Sequence, residues 1–366
     1  MRIMINASNL KQGGGIQVAD SICRYLVNYR QHHFVVVLPP IMEATRSVVS
    51  EFPNVSVVTY GLNRTLASLF CQKDAFLDSI VSDRKVDAVL TVFGPSRWKP
   101  SVPHLCGFAR AHILPMDTPY FSRISFKDRI VNSAVKRSFR LCSDFYWTEN
   151  PSVSELLGRV FPEKKVFTVS NNYNQVYDEK SRWKEHLLPP FKGTTLLTVT
   201  NSYPHKNLTI AIQIAEYLKR NHPGFSFRFV YTINEKEFPP LSSEMRDHFV
   251  FLGPVDVSEC PSLYLQSDIM FQPSLLECFS ATYPEAMKMG VPIVTTDLPF
   301  ARGLCGDAAL YYSSLSAEEA AERIYDLSTN EALARNLIDS GTQQLGHYLS
   351  AEQRAAQLVE LIESIV

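Results

Sequence analysis

Two glutamates eight residues apart, Glu277 and Glu285, are the side chains whose type and spacing most suggest chemistry. Glu277 lies in a polar turn after the apolar run 268–273, and Glu285 lies in the first turn of a short amphipathic helix predicted over 282–289. In one continuous helix the two carboxylates would be separated by about 12 Å along the axis and could not share a ligand. With the turn between them, both can border a crevice at the carboxyl end of a strand. Open α/β sheets bind ligands there, and the following helix N-terminus favours a phosphate.

A structural role for Glu285 is equally compatible with the residues. Thr282 and Glu285 have the spacing of a capping box, in which the two side chains only close the start of a helix. Pro284 is also tolerated in a first helical turn. The pattern alone therefore leaves a helix cap and a ligand contact as alternatives.

The elements that must position these residues are short apolar runs alternating with amphipathic segments. The predicted strands are 2–6, 34–38, 55–60, 86–92, 105–108, 144–148, 165–169, 195–200, 225–232, 249–252, 268–273, 293–297 and 310–312. The predicted helices are 16–29, 44–51, 66–82, 125–142, 152–160, 208–220, 242–246, 258–266, 282–289, 317–328, 331–346 and 351–365. This alternation predicts an α/β protein with parallel, doubly wound sheets.

The alternation breaks at residues 173–192, a stretch that ends in prolines and that we interpret as a linker. We therefore expect an N-terminal Rossmann-like domain over 1–172 and a C-terminal one over 193–350. The last helix, in 351–366, is a candidate to pack back onto the first domain. A chain of 366 residues exceeds what one hydrophobic core usually carries, which agrees with two domains.

Composition narrows the class of protein further. No N-terminal segment resembles a signal peptide, and seven scattered cysteines without a C-x-x-C pair favour reduced thiols in a cytoplasm over a zinc site or disulfide framework. Residues 1–170 carry 21 Lys and Arg against 13 Asp and Glu, whereas residues 171–366 carry 15 against 24. This asymmetry suggests that the basic half faces an anionic partner. Nucleic acid is disfavoured because the basic residues fall in no recognisable nucleic-acid module.

The stretch around the two glutamates resembles a known family. Glu277-Cys-Phe-Ser-Ala-Thr-Tyr-Pro-Glu285 is similar to the Glu-x7-Glu signature of retaining glycosyltransferases with the GT-B fold, in particular family 4, the glycosyl transferases group 1. The resemblance continues through Gly290-Val-Pro-Ile-Val-Thr-Thr-Asp297 and covers most of residues 193–312, but it is loose over 1–170. It implies two Rossmann-like domains that face each other across a cleft, an acceptor-side domain over 1–172 and a nucleotide-sugar donor domain over 193–350.

The resemblance also implies roles for individual residues. Glu277 would contact hydroxyls of the donor sugar, Glu285 the ribose of the nucleotide, and Lys206 the donor diphosphate. The base would pack near Val255. The remaining donor-binding candidates are Gly14 and Gly15 in the glycine loop after the first strand, and Phe279, Ser280 and Ala281 in the signature.

A lysine at the position of Lys206 is more often a solvated charge, and Asn207 could cap the following helix. This chain also departs from the family pattern. Asn201 stands where the family usually has an arginine, and Gly303 stands where it often has a glutamate. Part of the usual positive charge is therefore missing or comes from elsewhere, with Arg110 as a candidate.

His112 follows a strand of the first half and is the third catalytic candidate, beside Glu277 and Lys206, because the family commonly has a histidine in this region touching the donor sugar. A lone histidine is as often structural, and His104 is the nearest competitor.

The segment 123–140 carries six basic residues against Asp128, with apolar residues at helical spacing. It is either a core helix with a solvated basic face or a contact with an anionic membrane surface.

We therefore expect a retaining, metal-independent glycosyltransferase of bacterial polysaccharide or O-antigen type. It would pass a sugar from a UDP or GDP sugar to a hydroxyl of a growing, lipid-linked glycan such as lipopolysaccharide. No Asp-x-Asp occurs, so neither a metal nor another cofactor is expected. We expect a cytoplasmic protein, peripheral on the inner face of the membrane if the basic segment binds lipid. The alternatives are a same-fold epimerase or phosphorylase, and a catalytically silent subunit that binds nucleotide sugars.

Overall fold

The computed structural model describes residues 1–11, 13–62 and 72–366. These divide into two compact units. The first comprises Met1–Met116, Ile124–Asn171 and Leu349–Val366, and the second comprises Asp117–Arg123 and Asn172–Tyr348. Each unit contains one parallel sheet with helices, so the expected α/β class with two doubly wound sheets is confirmed. Part of the predicted helix 66–82 lies outside the described residues.

The first unit contains a seven-stranded sheet in the order β3-β2-β1-β4-β5-β6-β7. Its strands are β1 (Arg2–Asn6), β2 (His33–Leu38), β3 (Val55–Thr59), β4 (Ala88–Thr91), β5 (His104–Gly107), β6 (Phe145–Thr148) and β7 (Lys165–Thr168). Its described α-helices are α1 (Gly14–Leu26), α2 (Glu43–Val49), α3 (Ala75–Asp83), α4 (Phe126–Cys142), α5 (Pro151–Val160) and α13 (Ala351–Ser364). The strand order reverses between β1 and β4, so the switch point of this sheet lies there.

The second unit contains a six-stranded sheet in the order β10-β9-β8-β11-β12-β13. Its strands are β8 (Thr194–Thr198), β9 (Phe227–Tyr231), β10 (Phe249–Phe251), β11 (Ile269–Gln272), β12 (Ile293–Thr296) and β13 (Ala309–Tyr312). Its α-helices are α6 (Ile210–Asn221), α7 (Ser243–Arg246), α8 (Cys260–Leu265), α9 (Thr282–Met289), α10 (Pro299–Cys305), α11 (Ala317–Thr329) and α12 (Glu331–Leu345). The switch point lies between β8 and β11.

Both sheets are covered on both faces, which explains their continuous apolar strands. Along β1, Ile3 and Ile5 belong to one buried cluster and Met4 belongs to another. Along β8, Leu196 and Leu197 likewise enter different clusters. Because the strand interiors are apolar on both sides, polar chemistry is confined to the strand ends and to the loops that follow them.

Two segments belong to the second unit although the sequence pattern did not assign them to it. Residues 173–192, interpreted above as a linker, contribute Val176, Tyr177 and Leu188 to its core. The Leu188 N–H donates to Gln266 Oε1 at 2.9 Å. Residues 117–123 come from the first half of the chain and are also part of this unit. In the opposite direction, α13 buries Ala355, Leu358 and Ile362 in the core of the first unit.

A buried charge fixes α13 in the first unit. The Arg354 guanidinium donates to Asn171 Oδ1, and it donates to Ser21 Oγ of α1 at 2.7 Å. Glu149, which follows β6, is buried near this cation. Burial raises the pKa of the Glu149 carboxyl to about 7, and the positive charge of Arg354 acts in the opposite direction. The cluster therefore links α1, α13 and the ends of two strands.

We predict that Arg354→Met lowers the free energy of unfolding of the first unit by about 3–5 kcal/mol, because it leaves a carboxyl buried without its cation. Urea denaturation followed by tryptophan fluorescence measures this, since Trp98 and Trp147 are buried in that unit. The control is Arg159→Met, which removes an exposed ion pair with Glu155 and should change stability by less than about 0.5 kcal/mol. Equal losses in the two variants would contradict the prediction.

Candidate active site

The candidate site is built from the two loops at the switch point of the second unit. After β8 the chain passes through a 3₁₀ helix, Pro204–Lys206, and after β11 it passes through a loop that leads into α9. The Leu275 N–H donates to the His205 carbonyl at 2.7 Å, which joins the two loops. The strands before the loops are joined too, because Thr198 Oγ1 at the end of β8 donates to the carbonyl of Phe271 in β11 at 2.7 Å. The loops are therefore held at a fixed separation.

Lys206 and Glu277 form an ion pair across these loops, with 2.5 Å between Nζ and Oε1. Their side chains are only 15% and 10% exposed, so each charge depends on the other for compensation. Asn207 adopts a left-handed conformation that ends the 3₁₀ helix, and α6 begins only at Ile210. The suggestion that Asn207 caps the following helix is therefore wrong. The pair offers one cation for a phosphate and one carboxylate for hydroxyl groups.

Glu285 is buried in the first turn of α9, where Tyr264 donates its hydroxyl to Oε2 at 3.2 Å. Burial raises the pKa of the Glu285 carboxyl to about 7, and the hydroxyls of Tyr177 and Tyr264 act in the opposite direction. The N-cap of α9 is Ala281, which makes no side-chain capping bond. The capping-box alternative, with Thr282 as the N-cap, is therefore wrong, and the carboxyl instead meets the hydroxyls of Tyr177 and Tyr264.

The residues between the two glutamates form the wall of the site. Ser280 is buried, with its Oγ 2.8 Å from Thr282 Oγ1. Gln272, the last residue of β11, donates from Nε2 to the hydroxyl oxygen of Ser280 at 3.4 Å. Phe279 is half-buried and packs edge-on against Tyr348. Sequence reasoning missed Gln272 and Tyr264, although Gln272 stood out as a polar residue at the end of an apolar strand.

Val255, predicted to lie near the base, follows β10 in the second unit and is half-buried against its core. Gly253, just before it, has a φ of 74°, a left-handed value that favours glycine. The structure thus places Lys206, Glu277, Glu285, residues 279–281 and Val255 in one unit. The ion pair and the hydrogen bonds above bring together those that lie in the loops after β8 and β11.

The other predicted residues, Gly14, Gly15 and His112, lie in the first unit. Gly14 and Gly15 are the first two residues of α1, at the switch point of that sheet. A Cβ on Gly14 would meet no atom within 4 Å, whereas one on Gly15 would lie 3.3 Å from Leu10 Cδ2. Space for a side chain is therefore limited at Gly15 but not at Gly14. Their contact with a donor stays a prediction.

Of the two candidate histidines, His104 is part of the core. Its Nε2 lies 2.8 Å from Thr91 Oγ1 and its Nδ1 lies 2.6 Å from the Cys142 carbonyl oxygen. Burial lowers the pKa of His104 to about 4, so the ring is neutral at physiological pH. His112 lies in a 3₁₀ helix, Ala111–Ile113, and is half-buried. His104 is thereby excluded as the ligand-facing histidine, and the role of His112 stays a prediction.

Within residues 1–11, 13–62 and 72–366, no group of three or more His, Cys, Asp or Glu side chains could hold a metal ion. Asn201 and Gly303, the two departures from the family pattern, are both exposed, as is Arg110 of the first unit. Whether Arg110 supplies the missing charge stays a prediction.

Comparison with known proteins supports the fold and the family resemblance of the sequence. Residues 179–344 match the family model described as glycosyl transferases group 1. The O-antigen chain mannosyltransferase RfbU of Salmonella typhimurium is 23% identical over 245 residues, which are 63% of this chain and 67% of that protein. A crystal structure of a glycosyltransferase from Rickettsia africae matches with a TM-score of 0.69 at 14% identity over 100% of this chain and 98% of the other. Anabaena Alr3699/HepE in complex with UDP and glucose matches with a TM-score of 0.66 at 14% identity over 100% of both chains.

We predict that Glu285 makes the protein less stable as the pH rises. Its folded-state pKa of about 7 lies above the ordinary value of 4.5, so the folded state binds the proton more tightly and stability falls between these two pH values. Relative to Glu285→Gln, the wild type should lose about 1–3 kcal/mol of unfolding free energy between pH 4.5 and 8. Denaturation at a series of pH values measures this. The exposed control Glu216→Gln should follow the wild type, and parallel curves for the wild type and Glu285→Gln would contradict the prediction.

Proposed function

We propose that this chain, whose residues 179–344 match the glycosyl transferases group 1, is a retaining glycosyltransferase that uses a nucleotide-diphosphate sugar. The acceptor is a hydroxyl of a growing, lipid-linked surface glycan. The observation that carries the proposal is the Lys206–Glu277 ion pair at the switch point of the second sheet, together with the buried Glu285 in the first turn of the following helix α9. The likeness to an O-antigen chain mannosyltransferase supports a surface glycan as the product.

In the proposed reaction each residue has a distinct task. Lys206 and the backbone N–H groups near Ser280 hold the diphosphate and stabilise the charge that develops on it. Glu277 orients the donor sugar through its hydroxyls, His112 contacts the same sugar, and Glu285 holds the ribose. Gly14 and Gly15 allow the backbone of the first unit to approach the donor.

The bond between the anomeric carbon and the diphosphate oxygen breaks while the acceptor oxygen bonds to the same face of that carbon. The acceptor proton passes to a donor phosphate oxygen, and the nucleoside diphosphate leaves. No protein base is required for this proton transfer. The charge on the diphosphate is offset by Lys206 and by backbone dipoles, so we propose that the reaction needs no metal ion.

The start of α4 supports a membrane partner. Phe126 and Ile130 are 78% and 57% exposed, and their i, i+4 spacing places them on one face of the helix. Lys127 and Arg129 are exposed beside them, and Asp128 is engaged by the Ser125 hydroxyl at 2.7 Å. No helix in the described ranges is long and apolar enough to span a bilayer. We propose that α4 rests on an anionic inner membrane surface, with the apolar pair inserted and the basic residues at the headgroups.

We predict that UDP or GDP stabilises the metal-free protein in a thermal unfolding assay. A nucleotide at 100 times its dissociation constant should add about 2.7 kcal/mol to the free energy of unfolding. Lys206→Met should weaken binding by about 10- to 100-fold, because it removes a charge-assisted bond to phosphate. Glu285→Ala should also weaken it. Lys219→Met, which removes another ion-paired lysine of this unit, should bind as the wild type does.

The outcomes separate the alternative functions. Binding of a nucleotide together with transfer to a glycan acceptor would support the proposal. Binding without any turnover would identify a silent subunit. The lack of activity would then be attributed to the departures at Asn201 and Gly303. Turnover of the donor without an acceptor would indicate an epimerase. Failure of UDP, GDP and ADP alike to stabilise the wild type would contradict the assignment of the site.

We predict that the wild type sediments with phosphatidylglycerol vesicles at low salt and that changes in α4 weaken this. The double variant Phe126→Ser with Ile130→Ser should bind at least about tenfold more weakly, because it removes two inserted apolar side chains. Lys127→Gln with Arg129→Gln should lose about 2 kcal/mol, or roughly 30-fold. Phe76→Ser, at an exposed aromatic residue of α3, is the control. A wild type that stays in the supernatant would refute membrane binding.

A further inference from the structure

A cavity of about 600 Å³ lies at the amino edge of the first sheet, opposite the strand ends that the glycine loop follows. Basic side chains predominate among the residues that line it, which include Arg2, Arg30, His32, His33, Lys85 and Asp87. They come from the start of β1, from the start of β2 and the loop before it, and from the loop before β4. The cavity therefore belongs to one unit and to neighbouring strands of its sheet.

Hydrogen bonds within the fold fix the walls of this cavity. The Arg2 N–H donates to Asp87 Oδ2 at 2.7 Å, and the Asp87 N–H donates to the Arg2 carbonyl at 2.8 Å. His32 is buried, and its Nε2 lies 2.9 Å from Glu363 Oε1 of α13. The strand starts are thus held in place by contacts of the chain itself.

The positive charge at this cavity is not offset by the chain. The side chains of Arg30, His33 and Lys85 are exposed, and they form no hydrogen bond or ion pair with any residue in 1–11, 13–62 and 72–366. Of the described residues that line the cavity, only Asp87 is acidic, and its Oδ2 already accepts the bond from Arg2. The cavity therefore has an excess of positive charge.

Bonding to helix ends accounts for Arg2 but not for the other basic residues. Cations are favoured where a helix ends, because the last carbonyl groups carry partial negative charge. Arg2 Nη1 donates to the carbonyl of Arg84, the residue that follows α3, at 3.3 Å. The side chains of Arg30 and Lys85 donate to no carbonyl of the described residues. They are consequently available to a ligand.

Lys85 occupies a position at which a side chain is costly. Its φ is 50°, in the left-handed region that glycine usually fills just after a helix. The turn is closed by the backbone, since the Lys85 N–H donates to the Ser82 carbonyl at 3.1 Å. The lysine side chain lines the cavity instead of serving the turn. Backbone strain of this kind is common where a side chain is kept for binding.

We propose that this cavity is an anion site that binds a phosphate group through Arg30, Lys85 and Arg2, with His33 as a further donor. A guanidinium can donate two parallel hydrogen bonds to phosphate oxygens, and the lysine ammonium adds a compact charge. A phosphate monoester or a diphosphate carries about two or more negative charges, which matches the excess of positive charge. The ligand is a soluble phosphorylated compound or the headgroup of an anionic phospholipid.

This site is independent of the function proposed above. The strand β1 runs from Arg2 at the cavity to Asn6 before the glycine loop, a length of about 13 Å. A phosphate group at the amino edge of the sheet therefore does not occupy the place predicted for the donor beside Gly14 and Gly15.

Isothermal titration calorimetry on the metal-free full chain tests the site, with sodium pyrophosphate as the probe at low salt. The starting protein is Lys206→Met, because Lys206 is itself predicted to bind a diphosphate. Pyrophosphate should bind to it, and adding Arg30→Gln with Lys85→Gln should weaken this binding at least about tenfold. The matched control is Lys192→Gln with Arg220→Gln, which removes two exposed charges of the second unit and should bind within about twofold of the starting protein.

Two further measurements keep the test independent of how well one variant folds. Lys85→Gly, which suits the left-handed backbone, should also weaken pyrophosphate binding. In the otherwise wild-type chain, Arg30→Gln with Lys85→Gln should lower the stoichiometry by one pyrophosphate and leave stabilisation by UDP or GDP unchanged. Equal affinity in this double variant and its control overturns the site, and so does an unchanged stoichiometry. If no nucleotide binds but this pyrophosphate does, the anion site stands and the proposed donor chemistry fails.

Sedimentation with vesicles distinguishes the two sources of the phosphate group. The vesicles contain phosphatidate in phosphatidylcholine, and every protein carries Phe126→Ser with Ile130→Ser, so that the exposed apolar pair of α4 does not contribute. If Arg30→Gln with Lys85→Gln lowers vesicle binding more than the control does, the ligand is a lipid headgroup. If these changes weaken the binding of pyrophosphate but not of vesicles, the ligand is a soluble phosphorylated compound.

Discussion

The ion pair between Lys206 and Glu277 is the interaction on which the candidate site depends. Both side chains are largely withdrawn from water, and either charge alone would be costly there. Together they hold a cation and an anion in position before any ligand arrives. In the function proposed above, a bound diphosphate takes over the lysine and sugar hydroxyls take over the carboxylate, so binding exchanges one set of charge-assisted bonds for another. The charges of Lys206 and Glu277 would therefore have partners in the bound protein as they do in the free protein.

The geometry of the pair follows from the sheet. Because β8 and β11 are apolar on both faces, polar groups can gather only where these strands end. The strand order diverges at that point, which leaves room between the two following loops. Hydroxyl groups on the strand ends then bridge to neighbouring carbonyls. Thr295 Oγ1 donates to the Gln272 carbonyl at 2.9 Å, and Thr296 Oγ1 donates to the Ser274 carbonyl at 2.8 Å. These bonds join the end of β12 to the end of β11 and to the loop that follows it.

Regular elements were largely predictable because buried parallel strands are continuous apolar runs. The strand predicted over 2–6 is observed as Arg2–Asn6, and the helix predicted over 125–142 is observed as Phe126–Cys142 with Ser125 as its N-cap. Helix α10 was missed, although Pro299 at its start was a usable signal. The role of Glu285 was ambiguous because its spacing from Thr282 suits a cap as well as a ligand. The structure excludes the cap, because the N-cap of α9 is Ala281 without a side-chain capping bond and Tyr264 of another helix donates to the carboxyl of Glu285.

Contacts between distant segments could not be read from local patterns, and they decide how the site is assembled. Thr118 and Tyr120 come from the first half of the chain, yet they belong to the second unit and contact its loops at Leu275 and His205. In return, the last helix completes the core of the first unit through residues such as Leu358. If the chain were divided at residues 173–192, the segment interpreted from the sequence as a linker, each unit would lack a segment that belongs to it. Thr118 and Tyr120 lie in a seven-residue segment, Asp117–Arg123, that a division by sequence pattern assigns to the first unit. The loops after β8 and β11 are therefore held in part by residues that come from the first half of the chain.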